Sequence, residues 1–404
     1  MKSSNHVLGG LGTTIFTVMS ALAQENQAIN LGQGFPDTDG PEDVRAAAAR
    51  ALMDGPNQYP PMMGLPALRQ AVADHDRRFL GIDLDWTREV LVTSGATEAL
   101  TAALLAFLEP GDEVVLFEPL YDCYLPIVRL AGAVPKLVRL APPDAAHADW
   151  SIPAEALARA FSPLTKLVLL NTPLNPVGKV FTADEINAVV DLAAHYDAII
   201  LADEVYEHLV FDGRPHISPL QHPKGRGRTI RVGSAGKTFS LTGWKVGYLS
   251  GPAELIRLVA KAHQYLTFTT PPALQAGVAL GLTKEDAYFS GIATELAAKR
   301  DRLALGLAAL GFDVLPAGGT YFLAAGFRHL DAVSDDASFA RRLTVEAGVA
   351  VVPVSAFYDG TDAPRDLVRF CFCKQDSVLD EALARLGRWT AALGQAPANL
   401  PRDA

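Results

Sequence analysis

Short apolar, β-branched runs alternate along this chain with stretches in which apolar residues recur at helical spacing. The runs predict strands buried on both faces, and the stretches predict helices between them. One helix, predicted at 182–195, opens with a capping box, Thr182-Ala-Asp-Glu185. The predicted strands are 89–93, 113–117, 167–170, 198–202, 229–232 and 246–250, and a helix is predicted at 97–107. This order predicts an α/β fold whose mainly parallel sheet is covered by helices on both faces.

The pattern changes after Thr283, where a charged, alanine- and leucine-rich region begins. This part predicts helices at 284–310 and near 337–347, with strands around 349–354 and 367–372. These elements predict a smaller α+β domain. The predicted division is an N-terminal arm at 1–40, a large domain at 41–283, a small C-terminal domain at 284–394 and a Pro- and Ala-rich, disordered tail at 395–404.

Composition narrows the class of protein. The 404 residues are 49% hydrophobic and 20% charged, which is ordinary for an α/β enzyme and enough for one large and one smaller domain. The formal net charge of −10 argues against binding to nucleic acid, because a phosphate backbone requires a basic surface. The charge says little about small-molecule substrates.

The cysteines and the N-terminal residues indicate the cellular compartment in which the protein is expected. Cys123, Cys371 and Cys373 give neither an even disulfide framework nor a four-ligand zinc pattern, so no metal site is expected. Residues 7–23 mimic a secretory signal and end in Ala21-Leu-Ala23, but glycines and threonines dilute the apolar run. No continuous apolar run reaches about 18 residues. We expect a cytoplasmic protein with no membrane span.

Polar and small residues follow directly on the carboxyl ends of the predicted strands. They are Ser94 to Thr97, Tyr121, Asn171 to Asn175, Asp203 and Ser234 to Lys237. Open parallel sheets bind ligands at this edge, so side chains that are distant in sequence are expected to converge there.

Lys237 is the most informative of these residues. It follows Ser234-Ala-Gly236, a tight turn of small residues that suits an enclosed amine. A low-dielectric setting favours the neutral, nucleophilic amine that Schiff-base chemistry requires. The alternative, a phosphate loop of the Walker type, fails because Gly233 and Gly236 lie too close together in sequence.

Three strings in this order resemble the fold-type I pyridoxal-phosphate aminotransferases of class I, in particular the methionine and kynurenine aminotransferase group. They are Asn171-Thr-Pro-Leu-Asn175-Pro-Val-Gly-Lys179, Ala202-Asp-Glu-Val-Tyr206 and Ser234-Ala-Gly-Lys-Thr-Phe-Ser-Leu-Thr-Gly-Trp-Lys245. The resemblance extends from Ile29 to Phe372 and implies a pyridoxal 5'-phosphate cofactor. It also implies that the N-terminal arm packs on the small domain.

The resemblance assigns roles at the cofactor ring. Lys237 forms the covalent link and moves the substrate proton, and Asp203 holds the ring nitrogen protonated. Tyr206 and Asn175 bind the phenolic oxygen, and Tyr121 stacks on the ring. From the residues alone, Asp203 could instead cap a helix, Tyr206 could be core, and Tyr124 competes with Tyr121.

Other residues match the phosphate site. A predicted strand is followed by a turn of small residues and the start of a helix, at Gly95, Ala96 and Thr97. The backbone N–H groups of such a helix start can bind an anion. Ser234 and Lys245 are the family's further phosphate ligands. Tyr59 matches a tyrosine that reaches the neighbouring subunit's phosphate, which implies a homodimer with shared sites, although it could be only a turn aromatic.

The substrate residues are less distinctive. Arg369, in an apolar strand, matches the arginine that binds the substrate α-carboxylate, and Gly34 matches a backbone contact near the substrate. Phe16 and Phe268, the latter in His263-Gln-Tyr-Leu-Thr-Phe268, match an apolar pocket, but both could be ordinary core residues. We find no clear counterpart of the second arginine that dicarboxylate-specific relatives carry.

These residues predict an enzyme that moves the amino group of a neutral apolar, sulfur-bearing or aromatic amino acid (methionine, glutamine, phenylalanine or kynurenine) to a 2-oxo acid. On the same fold, a cysteine-conjugate β-lyase and a succinyl-diaminopimelate aminotransferase are alternatives. A non-catalytic, cofactor-binding regulatory module is a more distant one. A nucleotide-binding dehydrogenase is disfavoured, because no Gly-x-Gly-x-x-Gly follows a strand.

Overall fold

The computed structural model describes residues 4–145 and 147–395. The strands are β1 (Ile29–Asn30), β2 (Val90–Thr93), β3 (Glu113–Glu118), β4 (Val134–Arg139), β5 (Thr165–Asn171), β6 (Ile199–Asp203), β7 (Thr229–Ser234), β8 (Gly247–Ser250), β9 (Asp313–Val314), β10 (Phe322–Gly326), β11 (Val349–Ala350), β12 (Val352–Pro353) and β13 (Leu367–Cys371).

The α-helices are α1 (His6–Gly9), α2 (Ile15–Glu25), α3 (Glu42–Asp54), α4 (Pro66–Leu80), α5 (Trp86–Glu89), α6 (Gly95–Phe107), α7 (Tyr124–Leu130), α8 (Ala154–Ala160), α9 (Ala183–His195), α10 (Ala235–Thr238), α11 (Ala253–Leu266), α12 (Pro272–Leu282), α13 (Asp286–Ala309), α14 (Asp336–Arg342) and α15 (Asp376–Gln395). Short 3-10 helices form at Pro219–Gln221, Thr242–Trp244 and Val354–Phe357, and a π-helical turn forms at Leu343–Ala347. None of the helices in the described ranges is both long and apolar enough to cross a membrane.

The chain divides into two compact units. The first comprises Thr38–Glu295, Gly318–Thr320 and the described residues up to Leu11. The second comprises Gly12–Asp37, Leu296–Ala317 and the described residues from Tyr321 onward. Of the tail predicted at 395–404, Gln395 ends α15 and the rest lies outside the described residues.

The first unit contains a seven-stranded sheet in the order β2-β8-β7-β6-β5-β3-β4. Strand β8 runs in the opposite direction to the other six strands of this sheet, which all run in the same direction. The strands β2, β3 and β7 are buried along their whole length, as apolar strands covered by helices on both faces should be. The mainly parallel α/β fold predicted from the sequence is confirmed.

The six strands predicted for this sheet are all present, with bounds shifted by no more than two residues. The capping box of α9 is also confirmed: the Thr182 side chain accepts from the Glu185 N–H, and the Glu185 carboxylate accepts from the Thr182 N–H. The edge strand β4 was not predicted. It carries Pro135 and Lys136, which belong at sheet edges but interrupt the apolar pattern of a strand.

A buried ion cluster lies within the first unit. Arg231 of β7 pairs with Asp76 of α4 at 2.9 Å and with Glu204, just after β6, at 2.8 Å. Its third carboxylate partner is Glu207. All four side chains are buried, and the guanidinium stabilises carboxylates that would be costly to bury alone. The cluster therefore ties α4 to the centre of the sheet and to the segment that follows Asp203.

The second unit is built on the antiparallel order β12-β13-β10-β9, with β1 and β11 forming a separate parallel pair. Arg369 lies in the middle of β13, opposite Ala324 of β10 and Val352 of β12. Strand β13 is buried along its whole length. The guanidinium of Arg369 is therefore held inside this unit by strands on both sides.

Candidate active site

The turn between β2 and α6 forms an anion site. Gly95 has a φ of +80°, and a Cβ there would lie 3.1 Å from Cε and 3.3 Å from Nζ of Lys245. A Cβ on Gly247 would lie 2.8 Å from the Ala96 nitrogen. Gly95 thus leaves room for the Lys245 amine, and Gly247 lets β8 lie against the first turn of a 13-residue helix, where backbone N–H groups and the helix dipole favour negative charge.

The first turn of α6 also contains a carboxylate. Glu98 accepts from the Ser94 N–H at 2.9 Å, and its other oxygen lies 2.9 Å from Nδ1 of His263 in α11. The His263 Nε2 faces the carbonyl oxygen of Met62 at 3.0 Å. Ala96 is half-buried and Thr97 is exposed at the start of the same helix. Sequence reasoning missed this link from the predicted phosphate site to α11.

Lys237 lies on the short helix α10, directly after β7 ends at the buried Ser234. Its side chain is half-buried, and its Nζ lies 5.6 Å from the ring centroid of Tyr206. Gly233 has no room for a side chain, since a Cβ there would lie 2.1 Å from the ring of Tyr248. Packing against β8 therefore requires a glycine at this position of β7, and Lys237 follows at the carboxyl edge of the sheet.

Asp203 ends β6 and is buried. No helix begins there, so its alternative interpretation as a helix cap is wrong. The Tyr124 hydroxyl donates to Asp203 Oδ2 at 2.5 Å, and the Val205 N–H donates to Oδ1 at 3.4 Å. Burial raises the pKa of Asp203 to about 6, against the lowering effects of the Tyr124 hydrogen bond and the charge of Lys237. The structure thus brings a carboxylate into the electrostatic reach of the predicted lysine.

Asn175 is buried in a loop that is tied to the end of β6. The Asn171 side-chain amide donates to the Asp203 carbonyl oxygen at 2.9 Å, and the Asn175 N–H donates to Asn171 Oδ1 at 3.0 Å. Tyr206 is also buried, and it lies in a turn that follows β6. The turn is closed by the hydrogen bond from the Leu209 N–H to the Tyr206 carbonyl oxygen.

Two predicted aromatic site residues, Tyr121 and Tyr59, differ in exposure. Tyr121 is half-buried and packs edge-on against Tyr124, with ring centroids 5.8 Å apart and an interplanar angle of 75°. Tyr59 is 84% exposed and packs edge-on against Phe268 at 5.6 Å. Tyr124 therefore belongs to the hydrogen bonding of Asp203, and Tyr59 presents its ring to the surface of this chain.

In the second unit the Arg369 guanidinium is surrounded by aromatic rings. Its Cζ lies 3.9 Å from the ring centroid of Phe322, 4.9 Å from that of Phe357 and 5.2 Å from that of Phe16. Its Nη2 donates to the Gly32 carbonyl oxygen at 2.6 Å. Gly34 follows in the same segment, and its carbonyl oxygen accepts from the Tyr321 hydroxyl at 2.7 Å. Phe16 and Gly34, two of the predicted substrate residues, thus lie in the same unit as Arg369.

The residues of the first unit fit pyridoxal phosphate. Gly95 and Lys245, at the first turn of α6, form a cradle for an anionic group, and a Cβ on Gly95 would occupy part of that space. Asp203 is a buried carboxylate of raised pKa, suited to a cationic ring nitrogen. Lys237 offers a half-buried amine beside the Tyr206 ring. These features supply charge complements for the phosphate and the pyridinium, and a nucleophile for the aldehyde.

Among the described residues, His75, Glu207 and His208 bring potential metal-ligating atoms within 4.8 Å of one another. These atoms have protein partners: the two histidines bond each other at 2.8 Å, and Glu207 pairs with Arg231. Burial lowers the pKa of His208 to about 3, so His208 is uncharged at neutral pH. Glu207 therefore belongs to the ion cluster of the fold.

Comparison with known proteins identifies the family. The model of the family "Aminotransferase class I and II" matches residues 26–386. The probable N-succinyldiaminopimelate aminotransferase of Mycobacterium tuberculosis (strain H37Rv) is 47% identical over 383 residues, which cover 93% of this chain and 95% of that protein. Methionine aminotransferase of Escherichia coli (strain K12) is 42% identical over 376 residues, covering 93% of this chain and 96% of that protein.

The fold agrees with the sequence match. The solved structure of N-succinyldiaminopimelate aminotransferase from Mycobacterium tuberculosis has a TM-score of 0.92 to this chain at 46% identity, covering 96% of this chain and 100% of that one. This chain therefore belongs to the class I and II aminotransferases, as a pyridoxal 5'-phosphate-dependent transaminase of fold type I.

Proposed function

We propose that this transaminase takes its amino group from a neutral amino acid with an apolar, sulfur-bearing or aromatic side chain and passes it to a 2-oxo acid. The observation that carries the proposal is the ring of phenylalanines around Arg369. A guanidinium can pair with the α-carboxylate that every amino acid has, while the rings favour an apolar remainder. Methionine, glutamine, phenylalanine and kynurenine are the amino acids that this proposal includes.

We assign the catalytic steps to Lys237 and Asp203. When bound, pyridoxal phosphate takes up the electrons released as the Cα–H bond of the amino acid breaks. Lys237 holds the cofactor covalently between turnovers, and its amine carries the proton away from Cα. Asp203 pairs with the ring nitrogen, and its buried carboxylate keeps that nitrogen protonated.

The remaining residues bind and orient. The anion cradle of Gly95, Ala96 and Thr97 at the start of α6, with Ser234 and Lys245, is assigned to the phosphate. Tyr206 and Asn175 are assigned to the phenolic oxygen, and Tyr121 to one face of the ring. Each assignment follows the resemblance of the motif and the burial or backbone geometry of the residue.

The pairing of a second buried cation in the second unit, Lys374, supports a neutral substrate. Lys374 is another buried cation of this unit, and it pairs with Asp37 at 3.0 Å and donates to the Phe35 carbonyl oxygen at 2.8 Å. Its charge is thus already neutralised by a protein carboxylate. A distal carboxylate on the substrate would be desolvated against Phe16 or Phe322 without gaining this cation as a partner.

We therefore expect kcat/KM for methionine to exceed that for aspartate by at least about 10²-fold, corresponding to about 2.7 kcal/mol of discrimination. Burying a side chain of the size of methionine contributes roughly 1.5–3 kcal/mol, whereas the carboxylate of aspartate loses hydration. Glutamate should be a poor donor for the same reason. The measurement is a set of steady-state rates for each donor with one 2-oxo acid acceptor. A preference for aspartate would contradict the proposal.

N-succinyldiaminopimelate is a second candidate donor, because the Mycobacterium tuberculosis relative with that assigned activity is 47% identical to this chain. The same donor screen should include it beside methionine and phenylalanine. A kcat/KM for the succinylated diamine above that for methionine would favour the second candidate. Release of pyruvate and a thiol from a cysteine conjugate would add β-lyase activity on the same fold.

The assembly is proposed to be a homodimer in which Tyr59 reaches the phosphate of the other subunit. Its 84% exposure in the single chain suits a residue that acts outside its own subunit. If it does, mixing Lys237→Ala and Tyr59→Ala chains should restore about a quarter of wild-type activity, since half of the dimers are mixed and each has one intact site. Activity assays after denaturation and joint refolding measure this.

The two variants refolded separately are the control for this mixing experiment, and both should be defective. In a mixed dimer whose Tyr59 served its own subunit, each site would carry one defect, and mixing would restore nothing. Light scattering during turnover provides a second measurement. A fully active monomer would contradict the shared site.

A further inference from the structure

Tyr124 makes the shortest hydrogen bond of Asp203. It is the first residue of α7 and is buried, and its hydroxyl donates to Asp203 Oδ2 at 2.5 Å across 79 residues of sequence. Both side chains are shielded from water. A hydrogen bond from a neutral donor to a charged acceptor in such a place is among the stronger kinds.

The hydrogen bond fixes the direction of the carboxylate. The terminal torsion of aspartate is broad, so a buried carboxylate takes its orientation from its partners. The other described hydrogen bond, from the Val205 N–H to Oδ1, is long at 3.4 Å and by itself holds the group weakly. The phenol in turn packs edge-on against Tyr121 at 5.8 Å. Tyr124 thereby links the carboxylate to the ring that we assign to stacking.

The hydrogen bond also favours the charged form of Asp203. Burial is the largest effect on the pKa of Asp203 and raises it, as does Glu204, whereas Tyr124 and the charge of Lys237 lower it. Burial and the charge of Asp203 also raise the pKa of the Cys123 thiol. Burial raises the pKa of Tyr124 well above 10, so the phenol keeps its proton and remains a donor.

We infer that Tyr124 is a positioning residue for transamination, which orients the Asp203 carboxylate and holds it ionised toward the cofactor's ring nitrogen. The inference rests on the proposed role of Asp203. The sequence left open whether Tyr124 or Tyr121 stacks on the cofactor ring. We assign stacking to Tyr121 and the positioning of Asp203 to Tyr124. Its contribution acts through Asp203, so its removal should affect the ring nitrogen before it affects substrate binding.

The test is Tyr124→Phe in the holoenzyme, which removes the hydroxyl and keeps the ring. With the phenol gone, the carboxylate becomes the stronger base and draws the proton from the ring nitrogen. In cofactor labelled with ¹⁵N at that position, the nitrogen signal should move toward that of the unprotonated ring. We expect kcat for methionine to fall about tenfold with KM changed less than about twofold, since a hydrogen bond made to the reacting charge acts on the chemical step.

Tyr248→Phe is the matched control. Tyr248 is another buried tyrosine of the first unit, and its hydroxyl donates to the Glu207 carboxylate at 3.4 Å. This variant should keep the wild-type nitrogen signal and kcat, so a change confined to Tyr124→Phe supports the inference. An unchanged nitrogen signal in Tyr124→Phe would overturn it, as would equal changes in both variants. Failure of the wild-type chain to bind pyridoxal phosphate would instead overturn the assignment of the cofactor residues.

Discussion

Replacing Lys237 by alanine is expected to lower kcat by at least about 10⁴-fold, because one substitution removes both the nucleophile and the base. The amine is half-buried beside the Tyr206 ring and acts electrostatically on Asp203, so it lies where both functions are needed. Steady-state rates with methionine measure the loss. In the wild-type protein, borohydride reduction followed by peptide mapping should locate the cofactor on the peptide that contains Lys237.

Two further variants separate the effect of the positive charge of Lys237 from the effect of its reactive amine. Lys237→Arg keeps the positive charge near Asp203 but cannot form the covalent link, so it should be as inactive as the alanine variant. Lys224→Ala removes an exposed lysine that pairs with Asp191 at 2.7 Å, and it should keep full activity. Cofactor trapped on Lys179 or Lys245 would assign the covalent link to a different lysine.

Much of the fold could be predicted from the sequence because its signals are local. The apolar composition of strands such as β6 and β7 predicts that they are buried. Their last residues, Asp203 and Ser234, lie at the carboxyl edge of the sheet. Parallel strands must share that edge, so the position of several candidate residues followed from strand order alone. The small-residue turn before α6 was also evident from the sequence, whereas the close approach of Gly95 to Lys245 was not.

The partners of buried polar groups could not be predicted in the same way. The hydrogen bond from Tyr124 to Asp203 joins residues 79 positions apart, and the pair of Arg231 and Asp76 spans 155 positions. Such contacts depend on how helices pack on the sheet, which periodicity does not specify.

Asp203→Asn is expected to lower kcat by about 10³-fold or more, which corresponds to several kcal/mol in the barrier to proton transfer. Asparagine has the same shape and can accept the Tyr124 hydrogen bond, but it has no charge to pair with the protonated ring nitrogen. The variant should still retain cofactor through Lys237 and the anion cradle. Absorbance of the bound cofactor and steady-state rates measure the two effects separately. Near-normal turnover would mean that another residue keeps the ring protonated.

The same substitution should make the cofactor-free protein more stable at neutral pH. The pKa of Asp203 is 3.8 in an ordinary setting and about 6 when folded, so its stabilising contribution is full below about pH 3.8 and is lost as the pH rises through about 6. Above that range the folded chain contains a buried, ionised carboxylate, which costs about 3 kcal/mol relative to a neutral group. Urea denaturation of the cofactor-free proteins should therefore show Asp203→Asn more stable than wild type at pH 8 by up to about that amount, with little difference at pH 4. An Asn variant less stable than wild type at pH 8 would show that protein contacts alone favour the charged carboxylate. A gain in stability together with the loss in kcat would mean that this carboxylate is retained for its charge on the cofactor and at the expense of the fold.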